Sequence, residues 1–438
     1  MSGCGCCTED TMSAFRSLFT GSSGLQAHGD ALGVVGDNIA NVSTTGFKAS
    51  RAGFADLLGG YAANGQRAGQ GVRMAGPEAM FGQGGLLQTG RGLDLSLEGN
   101  GFFIVNGNHR GTQGSYYTRD GRFGFDDEGF LVNTGGLRLQ GYLIDPQTGT
   151  PSSALSDLQL NPNSPPRATQ SVDMAVNLDA SAPVLAPFDP ADPSGTSNFS
   201  TSVTVYDSLG RPHRADAYFR NQGGGDWEWH VMVDGAEVTG GTPGTPTEIA
   251  AGTMSFDTDG ALTNETTTFS SADFVGATAG QAITFDFGTS IAEGGTGLAG
   301  TTQFGSPSNV ISLAQDGFAS GSLSDVRVGQ DGVVSAIYSN GQQRALAQVG
   351  VASFAAESGL VRAGGQLFSA SPASGEARVG TAASGGRGSI AAGFLEGSNV
   401  DIGNELVTMI AYQRAFQANA RTVSTADEML AEIANLKR

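Results

Sequence analysis

Lysine is almost missing from this 438-residue chain: Lys48 and Lys437 are the only two, and arginine carries nearly all the positive charge. Lys plus Arg number 23 against 42 Asp plus Glu, for a formal charge of −19. That balance argues against nucleic acid or an anionic membrane as partner, because both need clustered positive charge. Cysteine is confined to Cys4, Cys6 and Cys7, in the opening stretch MSGCGCCTEDT. Those three raise a metal clip, a lipid anchor or an intermolecular disulfide as possibilities. A four-ligand zinc site has no second cluster to complete it, and no lipobox-like apolar segment precedes Cys4. The expectation is a dispensable leader over residues 1–12, or a start at Met12. A chain without cysteine beyond it suits a protein that must stay unlinked during export or assembly.

No apolar run approaches the roughly 20 residues that span a bilayer, so membrane insertion is not expected. The first eleven residues lack the basic start and apolar stretch of a secretory signal. The chain is expected to be cytosolic, or to leave the cell by a route that does not read such a signal.

Catalytic chemistry is equally thin. Only His28, His109, His213 and His230 are present, and none has H-E-x-x-H or paired-ligand spacing. No serine lies in a G-x-S-x-G elbow. Gly46-Phe47-Lys48 lacks the spacing and the following Ser or Thr of a phosphate loop. Asp257 and Asp259 before Gly260 resemble part of a calcium loop, but Ser255 and Thr266 occupy its first and twelfth positions; a turn between strands is expected there. No catalytic residue, cofactor or metal is assigned, and an enzyme is not expected.

What the chain has in quantity is glycine, 68 residues, about double the usual share of roughly 7 per cent. Many short strands joined by tight turns use glycine this way. Charged residues are only 15 per cent, tolerable for a surface that packs against copies of itself. Large apolar residues recur every seven positions at Leu18, Leu25, Leu32 and Ile39, with Ser22, Gly29, Gly36 and Ser43 at the other seam position. Near the C-terminus the four-then-three spacing runs Ile402, Leu406, Met409, Gln413, Phe416, Ala420, Val423, Asp427, Leu430, Ala434. A heptad sustained this long predicts a coiled-coil seam, and helices are predicted over 13–45 and 399–436. They are expected to pair with each other or with neighbouring copies; an ordinary helix pair docked on its own domain is the plainer alternative. Gly21, Gly24, Gly29, Gly33 and Gly36 each cost roughly 1 kcal/mol relative to alanine, so the first helix is expected to order only when packed. Gly46 fits a left-handed residue past its end, with Phe47 folding back onto Val42. Ser398 is the expected cap of the second helix, with Asp401 as its partner and Lys437 and Arg438 at the negative end of the dipole.

Between the helices the chain reads as strand. Period-two alternation is clear in SVTVYD, DAYFR, WEWHVMV and AITFDF, and Trp227 and Trp229 fall on one strand face, where packing is expected. Pro162, Pro165 and Pro166 mark the way into a zone rich in Thr, Ser and Gly, about 168–305. The predicted architecture is mainly β with two long terminal helices, which pair as a coiled-coil-like inner domain (13–90, including a linker, with 396–438). The chain would nest through a middle β domain (91–167 and 306–395) and an outer β domain (168–305).

Specific residues then add to pattern. GDNIANVSTTGFKASRAGFADLL, residues 36–58, resembles the N-terminal signature of the bacterial flagellar rod and hook family of axial proteins. Residues 397–430, GSNVDIGNELVTMIAYQRAFQANARTVSTADEML, resemble its C-terminal signature. LSLEGNGFFIV at 95–105, YYTRDGRFGFDDEGFLVNTGGLRLQGY at 116–142 and QDGFASGSL at 315–323 are similar to further family segments. TSVTVYDSLGRPH at 201–213 is similar to the outer-domain motif of the hook members, which the shorter rod members lack. Asp37 stands where the family usually has Asn, and residues 1–11 have no counterpart.

The resemblance implies a subunit of a curved, hollow, self-assembling tube that transmits motor torque as a universal joint. It implies an extracellular place in the flagellum, reached through the flagellar type III export apparatus without a cleaved signal. The implied partners are copies of the chain itself, the flagellar rod, the hook cap and the hook–filament junction proteins. The implied assembly residues are the seam positions Leu18, Leu25, Leu32, Ile39, Ile402, Leu406, Met409, Phe416, Val423 and Leu430, with Asn38, Asn41, Gly46, Phe47, Asn399 and Asp401 of the two signatures. Two other readings stand beside it: a distal-rod-like protein with an inserted domain, making a straight tube, and an extracellular β-rich protein that binds glycans through Trp227 and Trp229.

Overall fold

A computed structural model describes residues 6–61, 67–145 and 148–436. Cys4, Lys437 and Arg438 therefore lie outside the described residues. The chain is mainly β, with one long helix near each end: α1 (Cys6–Ala40) and α2 (Ile402–Leu436), 35 residues apiece. The first helix starts inside the expected leader and stops five residues short of the expected end. No helix among the described residues is long and apolar enough to cross a membrane.

The chain divides into two compact units. The first takes residues 1–160, 325–337 and 343–438; the second takes 161–324 and 338–342. Both helices and most of the strands expected in the middle domain share one unit, whereas Asn309–Gln315, also expected there, falls in the second.

In the first unit the stretch expected as linker is instead a long antiparallel hairpin, β1 (Ser50–Tyr61) with β2 (Arg67–Ala79), in register from Ser50 opposite Ala79. Register shifts at Gly53/Phe54, Asp56/Leu58 and Leu58/Tyr61 break the period-two pattern that would have marked it as strand. Next come β3 (Leu86–Gln88), β4 (Leu95–Glu98), β5 (Phe102–His109) and β6 (Thr112–Thr118). Strands from late in the chain close them: Phe394–Glu396 pairs antiparallel with β3, and Ser389–Ala392 with β4. The core beneath is aromatic. Phe102 lies edge-on to Phe81 at 5.4 Å and Phe354 at 5.9 Å, and Tyr117 meets Phe354 at 4.8 Å, the tilted geometry that aromatic pairs favour.

The second unit contains a five-stranded antiparallel meander, Phe199–Tyr206, Pro212–Gly223, Asp226–Asp234, Pro246–Phe256 and Leu262–Ser270. It shares a core with a three-stranded sheet built on Ser171–Asn177. SVTVYD, DAYFR and WEWHVMV fall in the meander, with their apolar positions inward. Trp227 and Trp229 are fully buried in that core, so neither offers a ligand platform. Asp257 closes the turn before Leu262: its Oδ1 accepts from the backbone N–H groups of Asp259 and Ala261, both at 2.9 Å.

Candidate assembly interface

The segments at the two ends of the chain meet in the first unit, and asparagine does much of the joining. Asn38, buried near the end of α1, accepts from Ser50 N–H at 2.8 Å and donates to Ser50 C=O at 2.7 Å. Its amide thereby satisfies both backbone groups of the first residue of β1. The same amide nitrogen donates to Glu405 Oε1 on α2 at 3.0 Å. Asn399 acts likewise from the other side. Its Oδ1 accepts from Ala49 N–H at 2.7 Å, and its Nδ2 donates to the carbonyls of Met80 at 2.8 Å and Gly82 at 3.0 Å. Asn41 is less embedded; it donates to Asp37 C=O and Oδ1.

The caps differ from expectation in detail. Asp401, not Ser398, caps α2: its Oδ1 accepts from Gly403 N–H at 2.8 Å and Asn404 N–H at 3.3 Å, the pattern of an N-cap carboxylate. Gly46 has φ +68°, but α1 has already ended at Ala40, so Gly46 is no helix cap. Its positive φ serves a close approach, since a Cβ there would sit 2.5 Å from Asp120 N. Its N–H donates to Glu396 C=O at 2.8 Å. Phe47 is buried, with the Arg362 guanidinium 5.0 Å above its ring.

Beneath these staples lies an ionic cluster absent from the sequence-based residue set. Glu396 Oε1 accepts from Lys48 Nζ at 2.6 Å and from Gly84 N–H at 2.9 Å, and its Oε2 accepts from Arg119 Nη1 at 3.2 Å. The side chains are 0%, 0% and 3% exposed for Lys48, Glu396 and Arg119. Burial pushes Lys48 below its ordinary lysine pKa, and the neighbouring Glu396 carboxylate opposes that shift. A lysine in an arginine-dominated chain, one of only two, was the one available signal; nothing local pointed to Arg119 or Glu396.

The two helices lie antiparallel. A Cβ on Gly21 would come within 2.8 Å of Val423 Cγ2, and one on Gly24 within 2.6 Å of Asn419 Oδ1. Nearer the junction, His28 of α1, Phe54 of β1 and Tyr412 of α2 form a ring cluster with centroids 5.3–5.9 Å apart. The buried stripe of α1 is Gly21, Gly24, Ala27, Ala31, Val35 and Asn38. Leu18, Leu25, Leu32 and Ile39 flank that stripe and are half-buried, as are Met409, Val423 and Leu430 on α2. Ile402, Leu406 and Phe416 are exposed, at 47%, 46% and 38%, and Val407 and Ile410 stand exposed beside them. The expected assembly residues thus differ in burial: Asn38, Gly46 and Phe47 are buried within the chain, the α1 seam positions with Met409, Val423 and Leu430 are half-buried, and Ile402, Leu406 and Phe416 remain uncovered.

Among the described residues, no group of three or more His, Cys, Asp or Glu is placed to hold a metal ion.

Four family models match the chain: Flagella basal body rod protein over residues 18–48, Flagellar hook protein FlgE/F/G D1 domain over 96–175, Flagellar basal body protein FlaE D2 domain over 176–318, and Flagellar basal body rod FlgEFG protein C-terminal over 391–436. The flagellar hook protein FlgE of Treponema pallidum is 34% identical, covering 97% of this chain and 100% of that one. The chain belongs to the flagellar hook protein FlgE family. The FlgE of Salmonella typhimurium is 36% identical over 95% of this chain and 98% of its own length. A crystal structure of Helicobacter pylori FlgE2 aligns with 71% of this chain and 100% of that one, at TM-score 0.49 and 17% identity. This FlgE-family chain is a structural subunit of the flagellar hook.

Proposed function

We infer that this hook subunit polymerises through its terminal helices, and that the polymer is a curved hollow tube acting as a universal joint between motor and filament. The observation that carries this reading is the row of exposed large apolar side chains on the first turns of α2: Ile402, Leu406, Val407 and Ile410. A soluble monomer rarely leaves such a contiguous patch uncovered unless another chain covers it. Neighbouring copies of the helix pair would bury it as a coiled-coil-like inner layer lining the channel, with the β units outside and the chain nested out through them and back. Such a role is structural and needs no catalysis. It places the chain outside the cell, exported through the flagellar type III apparatus, between the rod and the junction proteins and assembled under a hook cap.

The test is a charge in the patch. Leu406→Asp with Ile410→Asp should leave the free chain folded, because both positions already face water, yet abolish polymerisation, because a charge in a dry interface is heavily unfavourable. Normal polymers from that variant would refute the assignment of the α2 face.

A further inference from the structure

The buried cluster of Lys48, Arg119 and Glu396 has an unusual place in the chain order. Glu396 lies 348 residues after Lys48 and 277 after Arg119. One carboxylate serves two buried cations, both contributed by the first third of the sequence. Apart from Glu396, Lys48 donates to Gly82 C=O at 2.9 Å, and Arg119 donates to the carbonyls of Leu97 and Gly99 at 3.3 and 2.6 Å. Arg119 Nε has no hydrogen-bond partner at all. Carbonyl dipoles alone are poor compensation for two charges held out of water.

The carboxylate arrives on a short strand with its own backbone ties. Phe394–Glu396 pairs with β3, Glu396 C=O accepts from Gly46, and Gly397 N–H donates to Gly85 C=O at 2.7 Å. Position 396 is therefore where late chain, early charge and backbone pairing coincide.

We propose that Lys48, Arg119 and Glu396 form an ionic latch that makes ordering of the early part of the first unit conditional on docking of the strand Phe394–Glu396. Until that strand docks, folding β4 through β6 around Lys48 and Arg119 buries two uncompensated cations. Residues 46–50, 82–99 and 117–123 stay open as one cooperative unit. Once Glu396 enters, all three segments close together, and Asn38 can staple α1 to Ser50 and to Glu405. The helix pair is thus displayed in its final geometry only by a chain whose C-terminal segment has arrived, so an incomplete chain does not present the polymerising face.

The latch makes a charge-specific prediction that ordinary packing does not. The native cluster holds two cations and one anion. Glu396→Gln keeps the shape but leaves two cations and no anion. Lys48→Met with Glu396→Gln leaves one cation and no anion, restoring the native excess of one positive charge. The experiment is hydrogen exchange by mass spectrometry on the full-length chain and both variants. Glu396→Gln should speed exchange by about tenfold or more in residues 46–50, 82–99 and 117–123 together, with Asp226–Asp234 and Pro246–Phe256 unchanged. The double variant should recover most of that protection. Deprotection confined to residues 389–399, or a double variant no better than Glu396→Gln alone, would overturn the latch. Should Glu396→Gln fail to fold, a folded double variant supports the latch and an unfolded one overturns it.

Discussion

Gly24 and Asn419 face each other across the helix pair: a β-carbon on Gly24 would fall 2.6 Å from the Asn419 side-chain oxygen, closer than real Cβ contacts allow. In the same helix, nothing lies within 4 Å of a β-carbon placed on Gly33 or Gly36. The two kinds of glycine should respond differently to alanine. Gly33→Ala should stabilise the free chain by roughly 0.5–1 kcal/mol through helix propensity alone. Gly24→Ala should gain less, because the Asn419 amide must move aside to admit the methyl group. Denaturant titration of the two variants checks the difference, and equal stabilisation by both would mean that the helices do not approach at Gly24.

Asn38 gives a second prediction. Removing its amide leaves both backbone groups of Ser50 without their partner in a buried setting. Asn38→Ala should destabilise by about 2–4 kcal/mol. Asn38→Asp should fare no better, since a carboxylate cannot donate to Ser50 C=O and would face Glu405. Asn41→Ala, whose partner Asp37 is exposed, should change stability by less than about 1 kcal/mol. Chemical denaturation monitored by helix signal separates the three.

Glu265 makes the second unit sensitive to pH. Burial, then the nearby carboxylates of Asp286 and Glu293, push its pKa from the ordinary 4.5 up to about 7. A carboxyl whose folded pKa is raised favours the native state while protonated. The stability it contributes is therefore full below about 4.5 and is lost as the pH rises towards 7. The melting temperature of the second unit should fall across that window, and Glu265→Gln should flatten the fall. An unchanged slope in that variant would remove Glu265 as its source.

The five-stranded meander of the second unit was legible because most of its strands alternate. In WEWHVMV the inward Trp227, Trp229 and Val231 are fully buried, while Glu228 and His230 between them are not. The β1–β2 hairpin was not legible, because its register shifts interrupt the alternation. The helices were visible from their heptads, but the face turned towards the rest of the chain was not. Periodicity identifies an apolar stripe without saying what covers it, and in α1 the stripe buried within the chain is the small-residue one at Gly21, Gly24, Ala27 and Ala31. Glycines that weaken an isolated helix here permit close approach, which no propensity scale records. Of the ionic cluster almost nothing could be read, since its members come together from positions 48, 119 and 396, and pairing over such separations leaves no local pattern.

The central claim is that the terminal helices build the tube, and electron microscopy at high salt, which strengthens apolar burial, tests it most directly. The structure sets where to trim: Lys48 and Glu396 must both be kept, so the control should span residues 46–400. The full chain should give curved tubes, while the trimmed chain stays folded and unpolymerised. Tubes from the trimmed chain, or straight rigid tubes from the full one, would contradict the account.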